Sequence, residues 1–206
     1  MFNPQKYWED RHNKYKGNLL SVGNLANIKK KNCDEIEEKA KETIQNKIFN
    51  LLKSENYKKN NKIFDYGCGI GRIYSKILDI NCEYYGYDFS KTAIIEAKKI
   101  YPKGNFFDNL NKICDMKIKF DFILCNYVFV HIVDDNELIE QLSILKSLLK
   151  NNGKIIILDQ FKTNDSIKNL KHIKKRDINE MKYIINKCNL KLKDYILGSN
   201  YIIVYK

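Results

Sequence analysis

The residues that invite a chemical reading lie in one short stretch, NKIFDYGCGIGRI at positions 61–73. Asp65 is followed by Gly67, Gly69 and Gly71, set between the apolar pair Ile63–Phe64 and an apolar-periodic segment that resumes at Ile73. That order reads as strand, tight turn and helix. Glycine takes a positive φ at no steric cost and has no Cβ to stand between chain and ligand, so the turn suits close backbone approach to a bound group. Such a group sits at the carboxyl end of the strand. The spacing narrows the ligand. A dinucleotide turn has G-x-G-x-x-G and delivers a pyrophosphate to a helix N-terminus. Here the third glycine comes one position early, Arg72 follows it, and the Gly-Lys-Ser/Thr of a phosphate loop is missing. The pattern points to an adenosine-containing ligand without a pyrophosphate; the plainer alternative is a glycine turn that binds nothing or another nucleotide.

Further along, CEYYGYDFS (82–90) ends a second strand in Asp88, 17 residues beyond Gly71. An acid there can accept both hydroxyls of an adenosine ribose. Because dinucleotide folds share it, it argues for adenosine rather than for a reaction. Asp108 closes the short strand in GNFFDNL, and KFDFILCNYVFVHI (119–132) is a strongly apolar strand from whose carboxyl end Asn126 and Tyr127 emerge. His131 is the only histidine near that end and so the one imidazole there able to take a proton from a hydroxyl or ammonium at neutral pH. Its alternative role is a hydrogen bond to backbone. His12 and His172 are weaker candidates.

Residues 65–71, DYGCGIG, fit in full the Asp-x-Gly-x-Gly-x-Gly motif of the class I S-adenosylmethionine-dependent methyltransferases, which the chain resembles over residues 61–206. The resemblance implies an α/β domain with a seven-stranded, mostly parallel sheet, a terminal antiparallel hairpin and helices on both faces. It implies S-adenosylmethionine as cofactor and S-adenosylhomocysteine as product. Carried onto this sequence, it assigns cofactor contacts to Asp65, Gly67, Cys68, Gly69 and Gly71, to Asp88 and Phe89, to Asp108 and Asn109 at the adenine, and to Asn126 and Tyr127. Asn126, beside the sulfonium, and His131 become the catalytic candidates. A looser likeness to small-molecule members, in the Tyr-Trp…Arg of the first residues, adds Trp8 and Arg11. Adenine-methylating enzymes carry Asp/Asn-Pro-Pro-Tyr/Phe and cytosine C5 enzymes a Pro-Cys where this chain has NYVF and Leu-Cys, which counts against nucleic-acid bases. The expected reaction is methyl transfer to an oxygen or nitrogen of a small metabolite, sugar or natural-product intermediate. An RNA or protein methyltransferase, and an inactive cofactor-binding partner subunit, are the alternatives.

The elements that must position these residues can be read in order. Residues 3–16 form a helix with Asn3 as cap and Pro4 at its first position, and Tyr7, Trp8, Arg11 and Tyr15 share a face suited to a lid or a docked helix. A loop, GNLLSVGNLAN, precedes a helix over 35–52 capped by Asp34. Residues 1–60 are thus expected as a helical cap on a domain spanning 61–206. Strand 61–66, helix 71–79, strand 82–88 and helix 91–100 with Ser90 as cap follow. Then come the short strand at Phe106–Phe107, a short helix near 112–119, the strand at 122–125, an amphipathic helix over 135–150, and a strand ending at Asp159. A helix over 177–189 and a hairpin formed by LKDYIL and NYIIVY complete the chain.

The 206 residues, 44% of them hydrophobic, suit one domain with a sizeable core. No run approaches the length of a membrane span, and the first residues lack the apolar core of a secretory signal, so the cytoplasm is expected. The six cysteines form no C-x-x-C and do not pair with histidines at metal-ligand spacing, so reduced, structural thiols and no metal are expected. The formal charge of +12 is spread with Lys and Asn throughout the chain, while Arg, the better phosphate fork, is scarce. Only residues 162–193 are denser, with ten basic against three acidic side chains. That segment would suit an anionic small-molecule substrate; a solvated helix face is the plainer reading. A monomer or homodimer is expected, with no membrane partner.

Overall fold

A computed structural model describes residues 3–16, 33–162, 172–196 and 201–206. Seven strands build one sheet in the order β3-β2-β1-β4-β5-β7-β6. β1 (Lys62–Tyr66), β2 (Glu83–Tyr87), β3 (Asn105–Phe107), β4 (Phe120–Asn126) and β5 (Leu149–Leu158) run parallel, and β7 (Tyr201–Tyr205) lies antiparallel between β5 and β6 (Lys191–Ile196). The central strands are apolar on both faces, as a sheet covered twice requires: Ile123 and Leu124 of β4, and Ile155, Ile156 and Ile157 of β5, are fully buried. The chain crosses from β3 to β4 past β1, so the carboxyl ends of β1 and β4 diverge into a crevice, the place where open α/β sheets bind ligands.

One face of the sheet packs on α6 (Asp135–Leu148) and α7 (Ile178–Lys187), through Leu138, Leu142, Leu145, Ile184 and Ile185. The other face packs on α3 (Tyr74–Asp79) and α4 (Lys91–Ile100), and on α2 (Cys33–Ser54), whose Ile48, Leu51 and Leu52 join the same core as Ile63, Phe122 and Ile156. The expected boundary at residue 60 therefore does not divide the packing: α2 is a layer of the domain, and its helix already includes Asp34 rather than starting after it. α5 (Leu110–Asp115) is short, as its sequence predicts.

Helix ends follow local chemistry. Asn3 accepts from Lys6 N at 2.9 Å and starts α1 (Pro4–Lys14); Ser90 accepts from Ala93 N and starts α4. Asp177 and Glu180 close a reciprocal capping box on α7. The expected loop at 17–27 lies outside the described residues, as does the Gly-Ser-Asn linking β6 to β7. Among the described residues no helix is long and apolar enough to cross a membrane.

Candidate functional site

The glycine turn leaves β1 and reaches α3 through residues 67–73. Gly67, Gly69 and Gly71 all have positive φ, 78°, 53° and 77°. The reason is partly different from the one the sequence suggested. A Cβ on Gly67 would overlap a methyl of Val128, and one on Gly71 would stand 2.8 Å from the Phe106 ring, so packing inside the protein already demands glycine at both ends. The turn is pinned to the next strand: Gly67 N and Cys68 N both donate to Tyr87 O, at 2.8 and 2.9 Å, and Gly69 N donates to Asp88 Oδ2 at 3.0 Å.

Against this turn lies a cavity of about 200 Å³. It opens toward a wider cleft of about 1010 Å³, with which it shares Pro4, Tyr87, Phe89, Glu137 and Gln141. Asp65, Gly67, Cys68, Gly69, Asp88, Phe89, Asn126, Tyr127, His131 and Trp8, ten of the residues expected at the site, line the smaller cavity. Asp108 and Asn109 line the wider cleft instead. There Asp108 is held below the usual carboxylate range by Lys112 and a backbone N–H despite some burial, and Asn109 caps α5 by accepting from Asn111 N at 2.9 Å.

Two expected residues are placed otherwise. Gly71 faces Phe106 and Tyr101 rather than the cavity. Arg11 lies along the surface of α1, its Nη1 donating to Tyr7 Oη at 3.3 Å and its guanidinium 5.7 Å from the Trp8 ring and 5.8 Å from that of Tyr15. The cavity face of α1 is Pro4, Trp8 and His12, at i, i+4 and i+8. Tyr7 stacks on His172 with ring centroids 4.9 Å apart, and Tyr15 does not line the cavity. α1 is fastened to α4 by Glu9, which accepts from Ser90 Oγ at 2.7 Å and from the Thr92 hydroxyl.

Three acids surround the glycine turn and the crevice. Burial pushes Asp65 up to about 7, although it accepts from Tyr84 Oη at 2.7 Å and Arg72 draws it down. Burial likewise raises Asp88 to about 6, opposed by the N–H groups of Ser90 and Gly69. Asp88 is walled by protein but stays partly open toward the cavity, so a bound partner would reset its charge. Asp159, at the end of β5, is pushed to about 7 by burial while accepting from Gln160 N and Val130 N, each at 2.8 Å.

Asp159 and the segment 172–176 hold the turn that carries His131. Phe129–His131 is one turn of 3-10 helix at the end of β4, reached through Tyr127, whose φ of 56° is unusual for an aromatic residue. Arg176 is buried and fans across the turn, donating Nη1 to Phe129 O at 3.1 Å, Nη2 to Ile132 O at 2.7 Å and Nε to Asp135 Oδ1 at 2.8 Å. Lys174 N donates to Val130 O and its Nζ reaches Asp135 at 2.8 Å. His131 Nδ1 lies 3.1 Å from His172 O. A carbonyl only accepts, so Nδ1 carries the proton and Nε2 is left with its lone pair. Burial lowers the His131 pKa, only partly offset by that bond, so the imidazole is neutral at neutral pH. Of the basic segment, which the sequence offers as an anion-binding surface, Lys174 and Arg176 serve in an internal clamp.

The cavity suits an adenosyl amino acid. Its backbone cradle carries no pyrophosphate loop, its Asp88 can receive ribose hydroxyls, and Asn126 Oδ1 is buried there without a hydrogen-bond partner. Comparison with known proteins agrees. A family model described as a methyltransferase domain matches residues 64–155. No curated protein sequence matches the chain. Among solved structures, magnesium protoporphyrin IX methyltransferase of Synechocystis PCC 6803 with bound S-adenosylmethionine is similar over 99% of this chain and 96% of its own, at 15% identity and a TM-score of 0.66. A TehB-like S-adenosylmethionine-dependent methyltransferase of Corynebacterium glutamicum is similar over 82% and 99%, at 16% identity and a TM-score of 0.59. DesVI of Streptomyces venezuelae is similar over 78% and 89%, at 12% identity and a TM-score of 0.60. Identities this low speak to a shared fold.

Proposed function

We propose that the chain, whose residues 64–155 match a model described as a methyltransferase domain, is an S-adenosylmethionine-dependent methyltransferase that acts on an oxygen or nitrogen of a small metabolite, sugar or natural-product intermediate. The observation that carries the reading is the neutral His131, whose Nδ1–H is committed to His172 O and whose ring lines the cavity together with Trp8. When bound, the donor supplies a methyl group already activated by its sulfonium. What is left to the protein is to hold an acceptor in line, exclude water and remove a proton where the acceptor is a hydroxyl. Asp88 holds the ribose, the turn at Gly67–Gly69 approaches the amino-acid end, and Asn126 and Tyr127 flank the reacting centre. His131 Nε2 takes the acceptor's proton, and the Trp8 ring, 4.7 Å from the imidazole and edge-on to it, keeps that site dry. One of the similar structures carries a name that states a small acceptor, magnesium protoporphyrin IX.

Two of the ten basic residues that favour the nucleic-acid alternative are turned to internal use, Arg176 by burial and Lys174 by pairing with Asp135. The test is to incubate the protein with trideuteromethyl-labelled donor and fractionated metabolite extract, RNA or protein, and to follow the label by mass spectrometry. Label in a compound of a few hundred daltons is expected. Label confined to RNA or protein, with none in the metabolite fractions, would overturn the proposal.

A further inference from the structure

His12 is 3% exposed, lines the cavity, and neither ring nitrogen has a hydrogen-bond partner. A buried polar group in that state is destabilising unless something outside the fold completes it. The Trp8 carbonyl, one helical turn back, is close enough to favour the ring slightly but is not aligned as an acceptor. Burial takes the imidazole down to about 4, so it is neutral and carries one N–H donor and one bare lone pair.

Its place on α1 says which part of a ligand it meets. Pro4, Trp8 and His12 form the cavity face of the helix, and Pro4 also borders the wider cleft that contains Asp108 and Asn109. Pro4 and His12 are eight residues apart, about 12 Å along the helix at ~1.5 Å per residue. That is comparable to the reach of an extended adenosyl amino acid from purine to carboxylate. With the purine toward Asp108, the other end of the ligand comes under His12. Arg72, on the same cavity, is the cation available to a carboxylate there.

Resting on the methyl-donor reading above, we propose that His12 is a recognition residue for the amino-acid end of the donor, its one N–H donating to the carboxylate. α1 then senses the whole length of the donor: Pro4 at the purine side, Trp8 midway, His12 at the zwitterion. A ligand that lacks the amino-acid end would leave the His12 N–H bare.

The experiment is calorimetric titration of the full chain with two probes, S-adenosylhomocysteine and 5′-methylthioadenosine, which share the adenosine and thioether but differ in the amino-acid end. His12→Phe keeps the ring bulk and His12→Gln keeps hydrogen-bonding capacity. In His12→Phe the affinity for S-adenosylhomocysteine is expected to fall about 10-fold or more, as loss of hydrogen bonds to charged groups implies. Affinity for 5′-methylthioadenosine should stay within about twofold of the unaltered protein, on the same reasoning. His12→Gln should recover part of the S-adenosylhomocysteine affinity, and it decides the matter alone if the Phe variant does not fold. Equal weakening of both probes would make His12 a packing residue, and unchanged binding of both would place it away from the donor; either overturns the proposal. Failure of the methyl-donor reading would show separately, as absence of S-adenosylhomocysteine binding by the unaltered protein.

Discussion

Two histidines line the same cavity from different elements, each with its ring beside that of Trp8, and they are held in opposite ways. His131 sits on a 3-10 turn that Asp159, Lys174 and Arg176 bond from behind, and its Nδ1 is committed to a backbone carbonyl. His12 sits on α1, which is attached to the domain by Glu9 at the start of α4, and its own ring nitrogens bond to nothing. A group whose partners are all internal is fixed in direction and protonation before any ligand arrives, which suits proton transfer. A group whose partners are missing gains them from a ligand, which suits recognition. Burial lowers both pKa values, so burial alone does not separate the two roles; the hydrogen bonds do.

The strongest way to break the contrast is to remove the fixed imidazole. His131→Ala is expected to lower turnover of a hydroxyl acceptor by about 10²- to 10⁴-fold, while calorimetry shows S-adenosylhomocysteine binding nearly unchanged. Full turnover in that variant, with the same pH profile, would remove His131 from the chemistry. Asp88→Ala tests the cradle that both walls cover: affinity for S-adenosylhomocysteine should fall by roughly 1–3 kcal/mol through loss of charge-assisted bonds. Unchanged affinity in the folded variant would take Asp88 out of the site.

Arg176→Met sharpens the comparison by loosening only the rigid wall. Asp135, its ionic partner, is 44% exposed on its side chain, which discounts the cost of a fully buried pair. A loss of roughly 1–3 kcal/mol in stability is expected, seen as a lower Tm. Nitrogen-15 shifts of the His131 imidazole should report a mixture of tautomers where the unaltered protein shows Nδ1–H. A single Nδ1–H tautomer in a destabilised variant would mean that the His172 carbonyl suffices.

The smallest effect is in pH. Asp65 and Asp159 titrate at about 7 in the fold, above the ordinary carboxylate, so the stability they favour is complete below about pH 4 and is lost as pH rises through about 7. His12, at about 4, works in the other direction, its contribution being present above about 6.5 and lost as pH falls through 4. Asp88, raised to about 6, acts with the two acids, and His131, lowered by burial, acts with His12; with three acids against two bases, the Tm of the ligand-free protein should fall between about pH 5 and 8, and Asp159→Asn should flatten that fall. A Tm that rises across the range would contradict the assigned directions.

The sheet was legible because its signals are local. Apolar runs, the glycine turn and the Asn3 and Ser90 caps each depend on neighbours within a few residues, and the strand and helix order follows from them. The acids at strand ends, Asn126, Tyr127 and His131 could be placed because each follows a strand whose direction was known. The clamp was not legible: Arg176 meets Phe129 from 47 residues away, and from composition its segment looked like a charged surface. α1 was misjudged by rotation. Aromatic content selected the face of Tyr7, Trp8 and Tyr15, whereas the face that lines the cavity is turned about 40° from it at 3.6 residues per turn, bringing His12 inward. Its only sequence signal was position, two turns after Pro4 and one after Trp8.

The central claim is that the glycine turn and Asp88 hold an adenosyl amino acid rather than a dinucleotide. It is tested most directly by titrating the purified chain with S-adenosylhomocysteine and, separately, with a nicotinamide dinucleotide. The account predicts saturable one-to-one binding of the first and none of the second; uptake of the dinucleotide with no response to S-adenosylhomocysteine would contradict it.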